Sequence, residues 1–306
     1  MSRPGDSGTL AAPVAALVFN AFVWGVSWWP FRALQGHGVH PLWSTALIYL
    51  VALACVLAVR PGALRAWAGH PLLWLLALAA GLTNVGFNWA VTVGDVVRVV
   101  LLFYLMPAWS VPLAWLVLGE KPDGGAWARL LLGLAGVAAV LYTPGSGWPW
   151  PRSAPDWLAL AGGASFALTN VLLRRLEPAA AEARVLAMFG GGALMAAAVA
   201  GVGLAQGVVA PLPAPAAPWL ALAVLLALGF LAGNLCMQFG ASRLPAHTTA
   251  LVMLSELVFA SVSAAALGAA EPTPRIAAGG ALIVAAAAWA AWPRRALPAG
   301  GRLGAQ

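Results

Sequence analysis

Asn84 and Asn88 set two carboxamides four residues apart within one apolar stretch, and Asn234 and Gln238 repeat that spacing in another. Four residues is about one helical turn, so each pair shares a face. Such groups suit either a polar solute or hydrogen bonds between helices. Glu256 lies about ten residues into a third apolar stretch, the only acid placed so deep in one. An ionised carboxylate at mid-bilayer costs about 2.5–3.5 kcal/mol even on the lenient insertion scale for Asp. Two roles fit: exchanging a proton during coupled transport, or bonding irregular backbone. Arg98 follows a Gly94-Asp95 turn, at about the third position of a helix that Asp95 is placed to cap, where a cation opposes the helix dipole. Pairing with Asp95, meeting a solute carboxylate and snorkelling to the interface are its three readings. Trp24, Trp28, Tyr104 and Phe166 flank these polar positions and suit aromatic cavity walls or core packing. Asn170, beside Thr169, is a further polar candidate.

These residues need helices that cross a membrane to position them. Ten stretches of about 18–25 mostly apolar residues, each near the ~20 needed to cross hydrocarbon, fall at 11–31, 41–59, 71–93, 96–118, 126–143, 156–174, 184–206, 218–241, 246–268 and 274–292. With 62% apolar and 8% charged residues, no water-facing surface of ordinary polarity can be assembled. The first stretch reads as a retained helix, because Arg3 and Asp6 make a poor signal-peptide start and no small-residue cleavage site follows.

Several kinds of chemistry are absent from the pattern. Cys55 and Cys236 both fall inside spans and propose no disulfide framework. His37-x2-His40 lacks a third ligand nearby, so no metal and no cofactor is expected. Glycine runs such as Gly190-Gly191-Gly192, Gly229-x3-Gly233 and Gly162-Gly163 read as close helix contacts, since a phosphate loop would need a strand before it and a lysine after it. An intramembrane enzyme would need a nucleophile with a base, yet Ser255 and Glu256 are neighbours and point about 100° apart on a helix.

The net charge of +7 is spread over span ends and forms no nucleic-acid patch. With a cytoplasmic N-terminus, the inner side gathers Arg3, Arg60, Arg65, Lys121, Arg129, Arg174, Arg175, Arg184, Arg243, Arg294, Arg295 and Arg302. The outer side keeps Arg32, Arg152 and Arg275. This positive-inside bias predicts both termini in the cytoplasm. Tryptophans near span ends, among them Trp43, Trp74, Trp127, Trp148, Trp150, Trp157 and Trp219, fit an interfacial belt.

The polar link from Thr143 to Pro155 divides the spans five and five. An odd number per half makes the halves cross in opposite senses, a recurrent construction of secondary transporters. The expected units are residues 1–147 and an inverted second unit, 148–306. A displacement of 150 positions sets Asn84 and Asn88 on Asn234 and Gln238; one of 142 sets Trp24-Gly25 and Arg32 on Phe166-Ala167 and Arg174.

Trp24-Gly25, Leu105-Met106-Pro107, Leu118-Gly119-Glu120, Gly133-x2-Gly136 and Glu256, in this order and spacing, resemble the drug/metabolite transporter superfamily, specifically its EamA-type ten-helix transporters. The second half departs from the usual pattern: Leu257 follows Glu256 where proline is typical, and the Gly-Glu end signal is stretched to Gly268-Ala-Ala-Glu271. The resemblance implies an exporter or exchanger of small metabolites, often amino acids, with a cavity lined by spans one, three, four, six, eight and nine. The fold expected is all-α, ten transmembrane helices in two inverted five-helix repeats. The function expected is secondary transport of small organic solutes across a bacterial inner membrane, with proton coupling through Glu256 as one mode. A passive channel, an accessory scaffold and an intramembrane enzyme are the alternatives.

Overall fold

The computed structural model describes residues 6–94, 96–142, 151–268 and 273–292. Asp95, Glu271, Trp148, Trp150, Arg3, Arg294, Arg295 and Arg302 lie outside the described residues, as does the side chain of Arg98. Every regular element among the described residues is a helix: α1 (Asp6–Val26), α2 (Trp28–Gly36), α3 (Pro41–Val59), α4 (Ala63–Ala68), α5 (Pro71–Val93), α6 (Val96–Phe103), α7 (Met106–Leu118), α8 (Gly124–Leu141), α9 (Ala154–Arg175), α10 (Ala181–Ala205), α11 (Ala217–Ala241), α12 (Ala246–Met253), α13 (Ser255–Ala266) and α14 (Pro274–Ala291).

Nine stretches among the described residues are long and apolar enough to cross a membrane, counting α1 with α2 and α12 with α13 as single runs. The tenth crossing is α6 with the shorter apolar α7. Together they cover residues 96–118, roughly 34 Å at about 1.5 Å per residue. Large apolar side chains face outward, with Leu116 79% and Leu225 67% exposed. That surface suits lipid and not water, and the protein is an integral membrane protein. The first crossing runs out to Gly36, beyond the expected end at 31, and α4 is a short helix within a link.

Local chemistry sets the helix ends. Proline begins α3, α5 and α14, where its missing N–H costs no helical bond. Asp123 Oδ1 accepts the Ala126 N–H at 2.7 Å, and the Asp156 carboxylate accepts Arg152 N–H at 2.8 Å. His40 Nδ1 accepts the Leu42 N–H at 3.2 Å and burial lowers its pKa, so this histidine serves as a cap for α3. Gly119 (φ 71°) and Gly268 (φ 68°) close α7 and α13 in the left-handed region. The Gly-Glu end signal of the first half and its stretched counterpart therefore share the residue that the backbone needs.

The fourth and ninth crossings both break mid-way. Displaced by 150 positions, the break at Tyr104-Leu105 falls on that at Leu254-Ser255. Each is a single tightened turn, with Leu105 N–H to Leu102 O at 3.4 Å in one and Leu257 N–H to Leu254 O at 3.1 Å in the other. Pro107 explains the first break. The second occurs without proline, so both halves bend despite Leu257.

Packing follows the same two-fold plan. α1 packs on α11 as α9 packs on α5, and α9 meets α6 and α7 as α1 meets α12 and α13. The pairs α3 with α10, α8 with α14 and α7 with α12 each join corresponding crossings of the two halves. Glycines allow the closest approaches. A Cβ on Gly136 would stand 2.8 Å from Gly279 O, and one on Gly279 would stand 2.8 Å from Gly136 O. Gly136→Leu is therefore expected to destabilise the bundle by about 1–3 kcal/mol, read as a lower unfolding temperature in detergent. Gly201→Leu, where a Cβ meets nothing within 4 Å, should leave it unchanged.

Candidate functional site

A cavity of about 60 Å³ lies in the bundle, lined by Trp24, Tyr49, Ala80, Thr83, Asn84, Phe87, Phe103, Phe166, Thr169, Met188, Asn234, Met237, Met253 and Glu256. Its walls come from α1, α3, α5, α6, α9, α10, α11, α12 and α13. The crossings implied by the resemblance are all present, and the second and seventh join them through Tyr49 and Met188. Both helix breaks border the cavity: Phe103 ends α6, Met253 ends α12, and Glu256 stands in the first turn of α13.

The wall is mostly apolar, with polar groups at a few points. Asn84 Oδ1 accepts the Tyr49 hydroxyl at 2.7 Å, while its Nδ2 donates back to Ala80 O at 2.8 Å. Asn234 Oδ1 accepts Gln238 Nε2 at 2.8 Å, and its Nδ2 meets only the soft acceptor Met188 Sδ at 3.5 Å. The Tyr104 hydroxyl donates to the Glu256 carboxyl, joining the broken fourth crossing to the broken ninth. No Lys or Arg stands in the wall among the described residues.

Close backbone approaches hold these groups. A Cβ on Gly25 would lie 2.6 Å from Glu256 O, so the Trp24-Gly25 pair both lines the cavity and seats α13. On the other half, a Cβ on Gly163 would lie 2.5 Å from Phe103 O. Gly192 leaves the space that the Tyr49 ring fills. The glycine runs thus act as helix contacts directly behind the cavity wall.

Of the sequence candidates, Trp24, Asn84, Phe166, Asn234 and Glu256 line the cavity. Trp24 and Phe166, matched at the 142 displacement, face it from α1 and α9. Tyr104 is buried and reaches it through Glu256. Asn88 stands outside the wall and donates to Thr45 Oγ1 at 2.6 Å. Gln238 is behind Asn234, and Trp28 Nε1 donates to Ser263 Oγ at 2.9 Å, tying α2 to α13. Asn170 is fully buried beside Thr169 and is not in the wall. Sequence reasoning missed Tyr49, Thr83, Thr169 and Met188. A lone tyrosine inside the second span was the available cue for the first of them; a methionine carries none. Among the described residues no three His, Cys, Asp or Glu side chains converge to hold a metal.

Known proteins share this architecture. Residues 12–142 match the EamA-like transporter family. Protein RarD of Streptomyces exfoliatus is 30% identical over 184 residues, covering 55% of this chain and 55% of that protein. The chain therefore spans about half the length of this curated relative in the match. A solved crystal structure superposes with a TM-score of 0.72 at 20% identity, over 90% of this chain and 96% of the other. At that identity the likeness is one of fold. The match over residues 12–142 thus makes the first half of the chain similar to the EamA-like transporter family, and the apolar crossings continue beyond it through the second half.

Proposed function

We propose that the protein is a secondary transporter, working as an exporter of small organic metabolites such as amino acids, and that residues 1–147 and 148–306 are inverted halves that alternate access to the central cavity. The observation that supports this most is the cavity itself. Each half contributes one carboxamide, Asn84 and Asn234, and one aromatic wall residue at matched positions, Trp24 and Phe166. A binding site between inverted halves is the arrangement that alternating access uses.

The cavity's size also bears on the mechanism. At about 60 Å³ it has room for a few waters, well below the roughly 300 Å³ or more of usual ligand pockets. A metabolite enters only if helices separate, as the breaks at Tyr104-Leu105 and Leu254 would allow. Purified protein in liposomes, loaded with a panel of radiolabelled amino acids, is expected to give saturable uptake stimulated by the same solute on the opposite side. Flux without saturation would favour a channel, and turnover of a lipid or peptide would favour an enzyme.

The assigned setting is a bacterial inner membrane with both termini cytoplasmic, by the distribution of arginines. Single cysteines at Gly147 and Gly207 are expected to react with an impermeant reagent outside intact cells, while one at Gly62 stays shielded. The opposite pattern would invert the assignment.

A further inference from the structure

Between the cavity and one polar face of the bundle, α9 and α11 each carry a ladder of polar side chains. On α9, Thr169 lines the cavity, Asn170 is next, and Arg174 follows one turn on. On α11 the steps are Asn234 in the wall, then Gln238 and Ser242 at four-residue intervals, on one helical face. The lower rungs, Arg174 and Ser242, line a basin of about 600 Å³ together with Glu120, Arg175, Glu177 and Arg243.

The middle rungs are anomalous. Asn170 is 0% exposed, and neither Nδ2 nor Oδ1 has a hydrogen-bond partner. Gln238 is 2% exposed with Oε1 unpartnered. Thr249 on α12, which packs against both α9 and α11, is fully buried with Oγ1 unpartnered. Buried polar atoms without partners are costly, and proteins keep few of them. The ladder ends at a clasp. Arg174 Nη1 donates to Ser242 O at 2.9 Å, and its Nε stands 3.7 Å from Glu120 Oε1. One guanidinium thus joins the ends of α9, α11 and α7.

We infer that Asn170, Gln238 and Thr249 form a hydrogen-bonding site on the route between cavity and basin, for water and for uncharged polar groups of a passing solute, and that the Arg174 clasp closes this route. The inference rests on the transporter reading for its purpose, while its geometry can be tested without any solute. When α9 and α11 part, the unpartnered atoms meet the solvent or solute groups they lack. When they close, Arg174 seals the basin end.

The test is thiol accessibility in membrane vesicles, with Cys55 and Cys236 replaced by serine and a single reporter at Asn170→Cys or Gln238→Cys. Arg174→Gln is expected to raise the reaction rate with an impermeant reagent at least tenfold, from the same face that labels Gly62→Cys. Arg174→Lys should give a smaller rise. Glu120→Gln, which loosens the clasp from its other side, provides the same readout if Arg174→Gln does not fold. A reporter at lipid-facing Leu228→Cys should not change. An unchanged rate at both reporters, reaction from the opposite face, or an equal rise at Leu228→Cys would overturn the inference. Gated labelling in a protein without counterflow would remove the transporter reading and leave the route standing. Counterflow with ungated labelling would do the reverse.

Discussion

Glu256→Gln is expected to abolish solute accumulation driven by a pH gradient in liposomes while leaving fold and solute counterflow intact. The reasoning starts from the contacts of the carboxyl group. Glu256 lines the cavity at the first turn of α13, receives the Tyr104 hydroxyl, and has no Lys or Arg beside it in the described cavity wall. Two roles are compatible with that setting. In a structural role, the group is an acceptor that ties the broken fourth crossing to the broken ninth. In a coupling role, it exchanges a proton with the cavity as access alternates. Glutamine separates the two, because its Oε1 still accepts the Tyr104 hydroxyl while the side chain no longer titrates. Loss of gradient-driven transport with retained counterflow therefore identifies coupling. A variant that still responds fully to the gradient eliminates it. Tyr104→Phe supplies the converse, since it removes the donor and keeps the acid; it should lower thermal stability yet keep the response to the gradient.

How much of this was legible in the sequence depends on which physical signal carries each feature. Crossing a membrane demands about 20 apolar residues, so the spans could be placed within a few residues, and Gly119 marked the end of α7. The ninth crossing's break was not legible, because Leu254 and Leu257 are ordinary helix formers; the turn tightens where Gly25 brings α1 against the backbone of Glu256. Cavity-facing residues were legible only in part. A carboxamide within a span announces that it avoids lipid, but not whether it meets the cavity or a neighbouring helix. Asn84 and Asn88 share a face by spacing, yet one turn of rise takes Asn88 out of the wall and onto Thr45. Helix rotation and depth are set by neighbours, and a single chain's periodicity does not report them. Tyr49 and Met188 show the same limit, since both enter the wall only because α3 and α10 pack across the two halves.

Asn234→Leu is expected to lower the rate of solute counterflow by roughly ten- to a hundredfold, more than any other carboxamide replacement. Its Nδ2 points at the poorest acceptor in the network, Met188 Sδ at 3.5 Å, so this donor is the one a solute can take over at least expense. Losing a buried hydrogen bond costs about 1–3 kcal/mol, and each 1.4 kcal/mol is about a factor of ten, which sets the expected range. Asn84 is bound more firmly, accepting from Tyr49 at 2.7 Å and donating to Ala80 at 2.8 Å. Asn84→Leu should therefore act by unseating the Tyr49 ring, with stability and transport falling together. Asn88→Leu breaks the bond to Thr45 outside the wall and should disturb transport least. The measurement is counterflow per folded molecule, with the folded fraction taken from size-exclusion profiles. If Asn234→Leu transports as well as Asn88→Leu at equal folded amounts, the carboxamide on α11 is a packing residue and the solute is held elsewhere in the wall.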